Sequence, residues 1–129
     1  MAEAVTGGCA CGSIRYAAQG SVQFAIRCHC RACQRNTGSG HAVQAAVSRS
    51  GFSVEGEPAI WNRTGDAGHD VEKAFCPTCG CPLYGLPDRA PDLVMLMAGS
   101  LDDPSRIGPA RVVFGDTAQP WDRLPSEEN

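Results

Sequence analysis

The sequence is poor in three things: long apolar runs, an excess of basic charge, and aromatic side chains. No apolar run in its 129 residues approaches the roughly 18 consecutive residues that a membrane span needs. The opening stretch, Met1-Ala2-Glu3-Ala4-Val5-Thr6-Gly7-Gly8, lacks the basic and apolar regions of a secretory signal. The expectation is a soluble, cytoplasmic protein with no membrane partner. Eleven Lys and Arg stand against 14 Asp and Glu, a net charge of −3, which leaves no electrostatic footprint for a nucleic-acid backbone. Lys73 is the only lysine, and the other basic residues are arginines, planar donors suited to carboxylates. Eight aromatic residues, 6% of the chain, give a modest core and few platforms on which bases could stack.

What is abundant is just as informative. Fifteen Gly and nine Pro are about one and a half times the average usage of roughly 12%, which excludes a helical bundle and favours short strands joined by turns. Alternating or β-branched runs at 13–17, 22–27, 41–47, 59–63, 72–75, 83–86, 93–98 and 111–114 predict strands. Residues 31–37 predict one short helix ended by Gly38, with Cys33 on its first turn. The length matches a single domain over 1–129, and the polar end, 123–129, reads as a disordered tail. Met95 and Met97 lie in a run that predicts a strand buried on both faces.

The eight cysteines carry the chemistry. They fall in three clusters: Cys9-Ala10-Cys11, Cys28-His29-Cys30-Arg31-Ala32-Cys33, and Cys76-Pro77-Thr78-Cys79-Gly80-Cys81. In a reducing compartment thiols persist, so metal binding is the leading explanation. Two cysteines one residue apart on an extended chain point to the same face and can meet one zinc ion. In the third cluster Pro77 fixes a tight turn, and Gly80 supplies the positive φ that lets backbone N–H groups approach the sulfurs. Cys9 and Cys11 with Cys76 and Cys79 would fill a closed tetrahedral site, contributing roughly 10–16 kcal/mol of apparent binding free energy to folding. Cys28, Cys30 and Cys33 would leave one coordination position for water or substrate, unless Cys81 fills it or the middle cluster shares a metal with Cys9 and Cys11. Spacing alone leaves these pairings open.

Four stretches resemble the glutathione-dependent formaldehyde-activating enzymes, the GFA family that also includes centromere protein V-like proteins. They are residues 8–16, 28–39, 75–83 and 98–104. The resemblance implies a mainly β fold of small antiparallel sheets packed around a structural zinc, the β-tent type, with at most one short helix. It implies a GFA-like domain at about 5–122. It also implies a structural zinc on Cys9, Cys11, Cys76 and Cys79, and a second, catalytic zinc on Cys28, Cys30 and Cys33. The chain departs from the family pattern at Cys81, and 109–114 lacks the histidine often found before the last strand.

The function that follows is a zinc-dependent carbon–sulfur lyase or synthase. Its partner would be a small-molecule thiol or thiol adduct, such as glutathione, joined to an aldehyde at the three-cysteine site. The alternative is a non-catalytic zinc-binding domain that binds a small ligand or a protein. Arg27, Arg31 and Arg35, recurring every four residues, either surround the open site and attract carboxylates or form a solvated charged surface. His29 is expected at the surface or just behind the ligands, His41 as a structural histidine, and His69 in solvent. Tyr84, His41 and a zinc-bound water are the candidate general acids.

Overall fold

The computed structural model describes residues 4–64 and 68–124. Ten strands run in the order β1 (Val5–Gly8), β2 (Arg15–Ala18), β3 (Phe24–Cys28), β4 (Ala42–Ser48), β5 (Phe52–Glu55), β6 (Ala59–Thr64), β7 (Asp70–Phe75), β8 (Pro82–Pro87), β9 (Leu93–Met97) and β10 (Arg111–Val113). The helix α1 spans Arg31–Thr37, between β3 and β4. Three short 3₁₀ turns follow β9, at Ala98–Ser100, Pro104–Ile107 and Gly115–Thr117. Strands β1, β2 and β5 form one sheet, and the others form a second in the order β10-β3-β4-β9-β8-β7-β6. All pairings are antiparallel except β10 with β3, which run parallel with Arg111 opposite Ile26. The mainly β, one-helix expectation therefore holds, with one parallel edge added.

Both β4 and β9 are covered on two sides, which is why their sequences read as near-continuous apolar runs. On one face of the large sheet, Ala45, Val47, Ala74, Tyr84, Val94 and Leu96 pack against Val5, Ile14, Tyr16 and Ala18 of the small sheet and its hairpin. On the other face, Cys28, Ala42 and Met97 meet Cys30 and Cys33 from the α1 region. Met95 and Met97 project to this second face, while Val94 and Leu96 are fully buried in the first. The expectation of a strand buried on both faces is met, and each methionine also lines a cavity.

Gly7 closes the small sheet onto the segment after β9. It bridges Leu101, and a Cβ at this position would lie 2.4 Å from the Ser100 carbonyl oxygen and from Tyr16 Oη. The same tight contact lets Tyr16 Oη hydrogen-bond Ser100 Oγ at 2.6 Å in the buried interior. Strands β1 and β5 lie outside the runs that the sequence marks as strands. β1 carries two glycines, and β5 has four residues; each takes its conformation from pairing with β2.

No helix among the described residues is long and apolar enough to cross a membrane. The expected tail at 123–129 falls, from residue 125 onward, outside the described residues, as do 65–67 of the expected polar loop.

Candidate functional site

The first cysteine group is assembled by two turns. Gly12 N–H donates to the Cys9 carbonyl, and Cys9 N–H to the Ile14 carbonyl, which folds Cys9 and Cys11 back onto one point. In the second turn Gly80 sits at φ 78°, as the sequence predicts, and its N–H donates to the Cys76 carbonyl at 2.8 Å. The N–H groups of Thr78 and Cys79 then point at Cys76 Sγ, 3.3 and 3.4 Å away.

The ligand atoms of Cys9, Cys11, Cys76 and Cys79 all lie within 4.8 Å of one another. Cys11 Sγ is 3.6 Å from Cys9 Sγ and 3.7 Å from Cys76 Sγ. A tetrahedral ion with Zn–S bonds near 2.3 Å needs neighbouring sulfurs about 3.8 Å apart, so this donor set fits zinc in number, softness and spacing. The thiolates are also favoured electrostatically. Ser13 Oγ, 3.3 Å from Cys76 Sγ, and the Cys79 and Thr78 N–H groups hold Cys76 down at about 5. At Cys9, burial pushes upward, but the Ile14 N–H and Ser13 prevail and leave it at about 7.

The second group stands at the end of β3 and the start of α1. Cys28 is the last residue of β3, Cys30 is the N-cap of α1, and Cys33 lies on its first turn, as expected. Cys30 Sγ accepts the Cys33 N–H at 3.3 Å, doing the work of a capping oxygen. The helix stops at Gly38, which takes φ 72° and returns its N–H to the Gln34 carbonyl. The three sulfurs lie within 4.8 Å of one another, and all three residues are buried. Hydrogen bonds from Cys28 and Cys33 hold Cys30 far below the ordinary thiol range, whereas Cys28, Cys30 and burial push Cys33 up. Among the described residues no fourth cysteine, histidine or carboxylate joins this group. Cys81 is half-buried beside the first group, its Sγ 3.5 Å from the Pro82 carbonyl oxygen, and belongs to neither.

The three sulfurs open onto a cavity of about 310 Å³. Its walls are mostly apolar, with Ile26, Val71, Met95 and Phe114 among them. Phe114 is held at φ 55°, the only non-glycine residue in left-handed backbone among those described, a strain of the kind concentrated at ligand sites. Arg63, His69, Asp88 and Arg89 also line the cavity.

The cations facing the thiols differ from those the sequence suggests. Arg27 alternates with Ile26 and Cys28 along β3 and so points away from the cavity, where it meets Asp122 Oδ1 at 3.1 Å. Arg31 is engaged by Gln34 Oε1, and Arg35 lies exposed on α1. Instead Arg63 and Lys73, from β6 and β7, project onto the same sheet face as Cys28. Sequence spacing carries no sign of this, because strand pairing brings them there from 30 or more positions away in the chain.

The histidines differ too. His69 lines the three-thiol cavity and is half-buried, where solvent was expected. Of the two places expected for His29 the surface is excluded, since it is fully buried between Cys28 and Cys30; its Nδ1 is 3.3 Å from Asp122 Oδ2, and its Nε2 accepts from Arg27 Nε. His41 Nδ1 contacts the same carboxylate at 2.6 Å, the structural role expected of it. Neither His41 nor Tyr84 lines the three-thiol cavity, so neither candidate acid reaches it. Tyr84 packs edge-on to Phe52 and Tyr16 in the opposite core.

The chain is similar to a Rhodobacter sphaeroides protein of known crystal structure, with a TM-score of 0.61 and 21% identity over 84% of this chain and 99% of that one, which shows a shared fold. No curated protein matches it. The model of one family, described as glutathione-dependent formaldehyde-activating enzyme, matches residues 4–117. With most of its length covered, and with two cysteine groups arranged as metal donors, the chain belongs to the GFA family.

Proposed function

We propose that the chain is a zinc-dependent carbon–sulfur lyase or synthase that joins a thiol such as glutathione to an aldehyde, or cleaves the adduct, in the cytoplasm. One observation carries the reading: the four-thiol group is complete, whereas the three-thiol group stops one donor short and faces a cavity. Closed sets are structural and open sets are chemical. Cys9, Cys11, Cys76 and Cys79 would therefore hold the structural ion, and Cys28, Cys30 and Cys33 the reactive one. Cys28, Cys30 and Cys33 would hold a zinc ion that, when bound, would supply Lewis acidity to lower the pKa of an external thiol.

The remaining work falls to the protein. Ile26, Val71, Met95 and Phe114 keep water from the reacting carbon. In the synthetic direction the sulfur–carbon bond forms as the carbonyl π bond breaks, and the thiol proton ends on the former carbonyl oxygen. His69, the imidazole in the cavity wall, is placed to carry that proton. Arg63 offsets the negative charge of the thiolates. Cleavage reverses each step.

The test is exchange between glutathione and ¹³C-formaldehyde, followed by NMR in the zinc-loaded protein and in Cys30→Ser. The reading expects enzyme-accelerated exchange that the variant loses while keeping its fold. Wild-type exchange in Cys30→Ser would contradict it.

A further inference from the structure

A second cavity, of about 450 Å³, opens on the same sheet face one residue pair along from the three-thiol cavity. Arg63 and Val71 line the first cavity; Trp61 and Lys73, the next pair of β6 and β7, line the second. Lys73 is 4% exposed. Lysine is rarely buried without a partner, because desolvating an ammonium is costly. Among the described residues no hydrogen bond and no carboxylate reaches it, and the groups that favour its ammonium are the thiols Cys33, Cys30 and Cys28. The space it occupies exists because its neighbour is Gly85, where a Cβ would lie 3.3 Å from Lys73 Nζ. A second donor lines the same cavity: Asn36 Nδ2, on α1, is buried without a hydrogen-bond partner. Among the described residues no acidic side chain lines this cavity.

Two donors without acceptors in an otherwise apolar cavity specify an anion with an apolar body. The thiolates do not use up the charge: three of them with a divalent ion carry one negative charge, against two positive charges on Lys73 and Arg63. Trp61 and Ile60, both more than half exposed or nearly so at 56% and 50%, offer apolar surface to the body of the ligand. The volume suits a small molecule. We propose that this cavity binds a small carboxylic acid, its carboxylate accepting from Lys73 Nζ and Asn36 Nδ2 and its aromatic or aliphatic body lying against Trp61. The cavity adjoins the three-thiol group through Lys73, whose ammonium Cys33, Cys30 and Cys28 favour, but carboxylate binding there does not require the lyase reading.

Benzoate is the probe, titrated into the zinc-loaded full chain carrying Trp121→Phe, so that Trp61 is the sole indole and reports by fluorescence. Saturable quenching by benzoate, absent with benzamide, is expected. Lys73→Met should weaken it roughly tenfold or more, as loss of a charge-assisted hydrogen bond implies. The same variant should melt higher than the parent, since it removes an unpaired buried charge. Asn36→Ala gives a second reading of the same loss should Lys73→Met fold poorly. Benzoate that fails to saturate, or binds both variants as well as the parent, overturns the proposal. So does a Lys73→Met chain that loses its second zinc while the parent shows no benzoate binding, since Lys73 would then serve only the thiolates. Cys30→Ser should still bind benzoate, so failure of the lyase reading and failure of this one give different results.

Discussion

Asp122 Oδ2 lies 2.6 Å from His41 Nδ1, and through this contact the segment after β10 is fastened behind the three-thiol loop. The same carboxylate receives Arg27 and faces the buried His29, which lies between two of the three cysteines. Gln34 extends the attachment, with its Nε2 donating to the carbonyls of His29 and Thr117. The fit leaves no spare room at Gly40, where a Cβ would be 2.3 Å from Asp122 Oδ2. The ligand atoms of His29, His41 and Asp122 lie within 4.8 Å of one another, and Arg27 shares the carboxylate, so the cluster straps this segment to the back of the loop.

Replacing Asp122 by Ala should therefore cost more than a surface charge is worth. His41 and Arg27 lose an acceptor in a largely buried place, a penalty of about 1–3 kcal/mol. Urea denaturation of the variant should show a lower midpoint with an unchanged slope, and a loss below about 0.5 kcal/mol would contradict the strap.

Gly7 is set by contact rather than by backbone angle. Gly7→Ala forces its methyl against the Ser100 carbonyl and the Tyr16 hydroxyl, and overpacking of this kind costs about 1–3 kcal/mol. Thermal melts should show the loss; a variant as stable as the parent would mean that β1 can shift freely against the 100–102 segment.

The two cysteine groups should separate in their effect on folding. Cys76→Ser opens the closed group and should abolish cooperative unfolding, because that metal's binding free energy is folding free energy. Cys33→Ser should keep a cooperative transition while losing one metal equivalent. Equal collapse of both variants, seen by circular dichroism, would assign a folding role to the second group as well.

Acid stability has a component at Asp102. Arg15, paired with it, and Thr6, 2.7 Å away, hold its carboxyl down at about 2. A carboxylate held below its unfolded value of about 3.9 contributes stability that is complete above that pH and fades as pH falls toward 2. The pair is exposed, so the effect is small. Asp102→Asn should flatten the decline between about pH 4 and 2, measured by denaturant midpoints; an unchanged slope would contradict the assignment.

Much of this was legible in the sequence, for identifiable reasons. Cysteine spacing encodes the site because each cluster is local: a C-x-C on extended chain, a Pro–Gly turn and a one-turn helix each need only neighbours in sequence. Gly38 and Gly80 announced the positive φ that they adopt. What lay hidden depends on pairing across the sheet. Arg27, Arg31 and Arg35 share a helical spacing, but Arg27 is in a strand, so the shared face does not exist. Lys73 and His69 have no local motif and reach the site only through the β6–β7–β8 register. Strand β1, with its two glycines, is a strand because β2 and Leu101 make it one.

The most direct test of the account is the zinc-to-protein ratio of chain purified without chelator, with reactive thiols counted in the same sample. Seven of the eight cysteines fall in the two groups, so the account predicts a ratio near two and one reactive thiol, Cys81. A ratio near one, with Cys28, Cys30 and Cys33 reacting alongside Cys81, would contradict it.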